Sequence, residues 1–267
     1  MIIAYDLESC IMQRGYTRDK ALILEIGAYD LFLKTSFRCF VNPTDEKLTK
    51  ENYVSVLEAH GARPYPTKCH AENIRYQPEQ ALPLKVAMRQ FLDFLKTSEV
   101  LCAHNGRSFD DKIVFGSLQR CGLEWPKGMK FLDSYHDLSK KVWPGRRSYK
   151  LQNLHKALCP EHSSLKWHSA LDDSIGLAHL IEAAARQTVI DNIEVAAKYI
   201  EKDYGVSRIN RQFHCHFPKQ LSDKVGRHTR EAVAVKLRSK RPLAAINQIC
   251  LEVCLRTGLW SYQFAGL

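Results

Sequence analysis

The sequence predicts an α/β domain in which a mixed β-sheet is flanked by helices, followed by a mostly helical C-terminal extension. Three observations predict it. Apolar runs of strand length crowd the N-terminal region, strand and helix patterns alternate from there to residue 186, and the composition suits a buried core. Of 267 residues, 45% are hydrophobic and 25% charged, which excludes a mainly disordered, collagenous or low-complexity chain.

Met1 to Tyr5 is an apolar run consistent with a buried strand, and Leu22 to Leu33 reads as its neighbour. Arg14, Gly15, Thr17 and Asp19 make a hairpin-like connection between them. Phe37 to Val41 continues as a third strand, closed by Asn42 and Pro43. Residues 44–80 are polar and carry Pro64, Pro66 and Pro78, so short helical turns and loops are expected there, around a substrate rim. Pro83 opens a helix in which Val86, Phe91, Phe94 and Leu95 recur near helical spacing. Glu99 to Ala103 reads as a strand, and a helix from about Ser108 to Cys121 follows, ended by Gly122. Met129 to Leu132 is the fifth strand; Tyr149 to Leu158 and Trp167 to Arg186 are helices. Beyond them, helices are expected over 189–204, 229–237 and 243–257. One domain therefore spans 1–186 and an extension 187–267.

The net charge is +10, and it is unevenly placed. After residue 204 the chain carries 11 Lys and Arg against 3 Asp and Glu, whereas before it the counts are 28 and 26. A basic segment of this kind suits a polyanionic partner. Arg227, Arg230, Lys236, Arg238, Lys240 and Arg241 could neutralise nucleic-acid phosphates, or equally form a solvated helix face or a localisation signal. Nine scattered cysteines lack the spacing of a secreted disulfide scaffold and read as reduced thiols. Cys159 and His162, and the cluster His214, Cys215, His216, lack a second pair at zinc-finger spacing. Cys250 and Cys254 are expected to share a core face. No stretch reaches the roughly 18 apolar residues of a membrane span, and no leader opens the chain, so no membrane partner and an intracellular place, nuclear or cytoplasmic, are expected.

Carboxylates interrupt this apolar pattern at three places. Asp6 and Glu8 follow directly on Ile2 to Tyr5, and residues i and i+2 of a strand share a face. In a central strand such a pair calls for a compensating cation, and oxygen ligands suit Mg²⁺; at a strand end both acids would simply be solvated. In Trp167-His168-Ser169-Ala170-Leu171-Asp172-Asp173, Asp173 falls in the apolar stripe of Ala170, Leu177, Leu180 and Ile181, while His168 stands at the helix start. In His104-Asn105-Gly106-Arg107-Ser108-Phe109-Asp110, a strand runs into a polar turn and an acid opens the next helix, where it also complements the helix dipole.

Together these segments resemble the DEDDh family of 3′ to 5′ exonucleases, of RNase H-like fold, over roughly residues 1–186. Asp6 with Glu8, His104 to Asp110, and His168 to Asp173 match its three motifs in order and spacing. Glu25-Ile26-Gly27-Ala28, Leu132-Asp133, and Leu151 with Leu154 match the flanking features. The opening Asp-Leu-Glu-Ser is most similar to the TREX-like branch, from which Ser9, Cys10, Ile11 and Ser174 depart, and whose Pro-rich loop is absent. Residues 187–267 more faintly resemble the exonuclease-derived C-terminal region of the long PML isoform and its fish relatives.

The resemblance implies a five-stranded sheet and an Mg²⁺-dependent exonuclease that frees nucleoside 5′-monophosphates from single-stranded or frayed 3′ ends. DNA stands ahead of RNA. Two Mg²⁺ ions, replaceable by Mn²⁺, would be held by Asp6, Glu8, Asp110 and Asp173, with Asp6 bridging them. His168 would be the general base, its ordinary pKa near 6.5 suiting neutral pH. Leu7, Ser9, His104 and Asn105 are the expected substrate contacts, and the aromatics of residues 53–76 are expected either to stack on bases or to be core. A homodimer is an expected assembly, since TREX-like enzymes are often dimers. The alternatives are an RNA exonuclease on the same fold and a retired, binding-only domain; retention of all four acids and the histidine speaks against the latter.

Overall fold

The computed structural model describes residues 1–96, 98–162, 164–191, 251 and 254. The predicted helices beyond 191 and the basic residues Arg227 to Arg241 lie outside the described residues, as do His214, Cys215, His216 and Cys250.

Strand β1 (Ile2–Ser9) is central. It pairs antiparallel with β2 (Ile23–Asp30), which pairs antiparallel with β3 (Ser36–Asn42). Residues 31–33, expected in β2, turn instead, because the Asp30 carboxylate accepts the amides of Phe32 (2.8 Å) and Leu33 (3.0 Å) and outcompetes the ladder. The polar segment 44–80 holds two helices, α1 (Tyr53–Ala59) and α2 (Pro64–Asn73). A two-residue strand β4 (Leu82–Pro83) adds a sixth, parallel edge to the expected five, Pro83 being tolerated there because an edge strand can spare a donor.

Helix α3 (Leu84–Leu95) buries Ala87, Met88, Phe91 and Leu95, whereas Val86 is 40% exposed, so the apolar face is rotated from the expected one. Then come β5 (Val100–Ala103), α4 (Asp110–Cys121) and β6 (Lys130–Asp133), with β5 and β6 parallel to each other and β5 parallel to β1. A wide π turn over Ser134–Ser139 leads into the short α5 (Lys140–Val142), followed by α6 (Leu151–Leu158) and α7 (Ala170–Asp191). The sheet order is β4-β3-β2-β1-β5-β6.

Alternation along β1 divides the molecule. Ile3, Tyr5 and Leu7 enter a core with Met88, Phe91, Val114 and Leu118 from α3 and α4. The opposite face, which carries Asp6, meets α7: Gly27, paired with Asp6, lies directly under Ala170. Tyr53 and Tyr76 are core residues, the Tyr76 hydroxyl donating to the Val41 carbonyl (2.8 Å). Leu251 and Cys254 are fully buried, and the Cys254 thiol reaches the Ala185 carbonyl at 3.7 Å. Among the described residues no helix is long and apolar enough to cross a membrane.

Candidate functional site

The pairing of β1 with β5 stops at Ala4, because β5 ends at Ala103 and the chain turns away. Beyond Ala4 the carboxyl-terminal half of β1 therefore lacks its parallel neighbour, and a cleft of about 430 Å³ opens there. Clefts outside the carboxyl ends of parallel strands are the usual binding places of open α/β sheets. Asp6, Leu7, Glu8, Ser9, His104, Asn105, Asp110, His168 and Asp173, the nine residues singled out in the domain sequence, all line it.

Asp6 and Glu8 project from β1 on the α7 side, opposite Gly27 and Glu25 of β2. Asp110 is carried in by α4, after Asn105 in the left-handed region (φ 66°) lets the chain turn out of β5. Its carboxyl is buried, and its own backbone amide and that of Leu7 act against the upward push of burial. Asp173 reaches the cleft from the first turn of α7. That helix begins at Ala170, three residues after the expected Trp167, and His168 sits ahead of it in the left-handed region (φ 69°). The His168 backbone amide acts on the Asp173 carboxyl against the upward push of burial.

What sets the start of α7 is β2. A Cβ on Gly27 would lie 2.1 Å from the Ala170 carbonyl carbon, so only glycine lets the helix approach this closely. Glu25, fully buried, takes the Arg38 guanidinium at 2.7 Å and the Ser169 hydroxyl at 3.3 Å, both on Oε1.

One ligand oxygen each from Asp6, Glu8 and Asp173 lie within 4.8 Å of one another, and Asp173 Oδ1 is buried without a hydrogen-bond partner. Burial, then the charge of Asp110 and Asp173, raises Asp6 well above the usual carboxylate range. Burial followed by the charge of Asp111 pushes Asp110 to about 7, and burial followed by Glu8 pushes Asp173 to about 7. Four crowded carboxyls with an orphaned oxygen fit hard divalent cations, the charge that would let all four ionise together.

His104 has both ring nitrogens engaged: Nε2 donates to the Tyr149 carbonyl (2.7 Å) and Nδ1 accepts from the Ser134 hydroxyl (2.8 Å). It ties the turn after β5 to the residues leading into α6, and its claim on the Tyr149 carbonyl explains why α6 starts at Leu151 and not at Tyr149. Asp133 braces the same turn, accepting the amides of Asn105 (3.2 Å) and Arg107 (3.3 Å). Cys159, by contrast, is buried with its thiol pushed up to about 12, and among the described residues the metal-competent group is Asp6, Glu8 and Asp173.

Sequence reasoning missed Tyr135, Tyr149 and Lys150, which line the cleft, and His70 of α2, whose Nε2 is 2.9 Å from Glu8 Oε2. Lys150 stood inside the expected helix Tyr149 to Leu158, next to the recognised Leu151, a signal that was available. His70 lay in a polar stretch with none.

Similarity to known proteins agrees with this geometry. The RNase T family model, described as Exonuclease, matches residues 3–181. Exonuclease DPD1, chloroplastic/mitochondrial, of Arabidopsis thaliana is 27% identical over 192 residues, 68% of this chain, and the chain covers 55% of that protein's length. The nuclease domain of 3′hExo, a DEDDh family member bound to rAMP, superposes with TM-score 0.48 and 16% identity, covering 67% of this chain and 88% of that one. E. coli Exonuclease I in complex with a dA16 oligonucleotide does so with TM-score 0.49 and 15% identity, covering 75% of this chain and 45% of that one. With the family model matching two thirds of its length and the carboxylates gathered in one cleft, the chain belongs to the RNase T exonuclease family.

Proposed function

We propose that this chain is a 3′ to 5′ exonuclease that hydrolyses phosphodiester bonds one nucleotide at a time, acting on single-stranded or frayed DNA ahead of RNA. The observation that carries the reading is the convergence of Asp6, Glu8 and Asp173 within 4.8 Å around an unpartnered buried oxygen. Asp6, Glu8, Asp110 and Asp173 would hold two Mg²⁺ ions, or Mn²⁺ in their place. Bound there, such ions supply Lewis-acid activation and neutralise the charge gathering on the phosphate.

The chain's own residues do the rest. His168, on the rim formed by the turn before α7, takes the proton from the attacking water. Lys150, across the cleft, offers a cation to the strand's phosphates, and Tyr135, Tyr149 and Phe109, the last 44% exposed, offer ring faces to the terminal bases. Leu7 and Ser9 flank the acids on β1, where a terminal nucleotide would rest; Asn105 does so from the opposite wall, and His104 acts by bracing that wall. Arg227, Arg230, Lys236, Arg238, Lys240 and Arg241 are proposed to contact the phosphates of longer strands. Replacing three of them by alanine would lower the salt slope of single-strand binding by about 0.7 per lost contact.

The test is degradation of 5′-labelled single-stranded DNA, matched RNA and duplex DNA, in Mg²⁺ and in EDTA, with Asp6→Ala as control. A ladder shortening from the 3′ end in Mg²⁺, absent in EDTA and in the variant, is expected, with single-stranded DNA cut fastest. Faster cleavage of RNA would reassign the substrate. Binding without cleavage of any substrate would overturn the reading in favour of a retired domain.

A further inference from the structure

We propose that His70 is a positioning residue for Glu8, a functional side chain supplied by α2; the proposal rests on the metal-dependent reading above. Glu8 is nearly buried (8% exposed), faces Glu25 across the β1–β2 ladder, and shares its cluster with Asp6 and Asp173. Glu25 is already taken by Arg38 at 2.7 Å. Among the described residues the basic side chain in contact with Glu8 is His70, Nε2 to Oε2 at 2.9 Å. Without it, repulsion from Asp6 and Asp173 would turn the Glu8 carboxylate out of the cluster.

The placement of His70 is built into the fold. Thr67, Ala71 and Ile74, at spacings of four and three, bury one face of α2, and Ala71 and Ile74 pack with Cys10, Leu22 and Leu24. The Arg63 amide donates to the Ile11 carbonyl (2.8 Å) and Ala62 bridges Met12, so the entry to α2 is pinned three and four residues beyond Glu8, just past the end of β1. His70 is absent from the cleft lining. It approaches a single oxygen of Glu8, Oε2, and leaves the carboxylate's other oxygen for a cation. The contact is one of proximity: among the described residues the buried Nε2 makes no aligned hydrogen bond to Glu8 or to any other group, and Glu8 Oε2 at 2.9 Å is the acidic oxygen it faces.

The experiment is Mn²⁺ titration of the full chain followed by electron paramagnetic resonance, on wild type, Asp6→Asn, His70→Ala and His70→Gln, with melting curves in EDTA. Partners that orient a metal ligand typically change affinity by about 10- to 100-fold. His70→Ala is expected to weaken Mn²⁺ by that factor, and His70→Gln, whose amide nitrogen can reach the place of Nε2, to recover most of it. Wild-type affinity in His70→Ala would overturn the proposal. Equal loss in both variants would also overturn it, marking His70 as a packing residue of α2. If wild type itself shows no Asp6-dependent Mn²⁺ binding, the nuclease reading fails first and this proposal with it.

Discussion

Asp173 has one oxygen buried without a partner and its carboxyl pushed up to about 7, first by burial and then by Glu8. A group so placed destabilises the metal-free fold and serves only when a cation is present. Asp173→Asn is therefore expected to abolish hydrolysis and yet, in EDTA at pH 7.5, to melt a few degrees above wild type, each 1 kcal/mol being worth roughly 2–4 °C in a chain of this size. A lower melting point would show that Asp173 is structural. His168 permits a cleaner separation. Asparagine tolerates its left-handed backbone better than alanine does, so His168→Asn and His168→Ala should both reduce turnover by roughly 10² to 10⁴, with alanine alone also reducing stability. Unchanged turnover in either variant would remove His168 from the chemistry. These residues were legible in the sequence because a charge inside an apolar pattern is an anomaly wherever it falls. Glu25 was visible only as a family match, and His70 not at all, since each acts through a partner distant in sequence, Ser169 in one case and Glu8 in the other.

At the scale of elements, the site depends on how closely α7 lies on β2. Gly27→Ala places a methyl 2.1 Å from the Ala170 carbonyl carbon and 2.2 Å from the Leu171 amide nitrogen. Backbone cannot yield as a flexible side chain can, so α7 must lift, carrying Asp173 and His168 from Asp6. The expected cost is about 3 kcal/mol by urea unfolding, at the upper end of overpacking effects, with activity lost even under conditions where the variant is folded. A fully active, equally stable Gly27→Ala would refute this account of how the helix is placed. Strands and helices of the domain were legible from periodicity, including β1, β5, α4 and α7. Their ends were not, and for local reasons: Asp30 captures two amides and stops β2, and His104 captures the Tyr149 carbonyl and delays α6. The helices α1 and α2 were foreseen only as short turns, because hydrophobic spacing in residues 44–80 is weak and Tyr53, Ala71 and Ile74 are buried in a cluster with Cys10, Leu22 and Leu24, which are distant in sequence.

Over the whole molecule two sets of buried groups bias stability with pH in opposite directions. Asp6, Asp110 and Asp173 are raised, the last two to about 7, so without metal their contribution is present below their ordinary value near 4 and is lost as pH rises through 7. Between α6 and α7, His155 Nε2 lies 3.1 Å from His179 Nδ1, and the His162 ring stacks on His179 at 3.8 Å. Burial, then its histidine neighbours, lowers His179 to about 3, and burial then His162 lowers His155. Their contribution is present above their ordinary value near 6.5 and is lost as pH falls from there toward 3. A cation held in the cleft would act on the first set alone, because it must displace the protons that the crowded carboxyls retain. Saturating Mg²⁺ at about 100 times its Kd adds about 2.7 kcal/mol, which for a chain of this size is a rise in Tm of roughly 5–10 °C at pH 8. At pH 5.5 Asp110 and Asp173 hold their protons, and the rise should shrink toward zero. Melting curves in Mg²⁺ and in EDTA from pH 5 to 8 measure it. A rise of equal size at both ends of that range, or one that persists in Asp6→Asn, would place the stabilising cation somewhere other than the cleft. In EDTA, Asp173→Asn should flatten the alkaline loss and leave the acid loss in place, since that loss belongs to the histidines between α6 and α7 and not to the acids of the cleft.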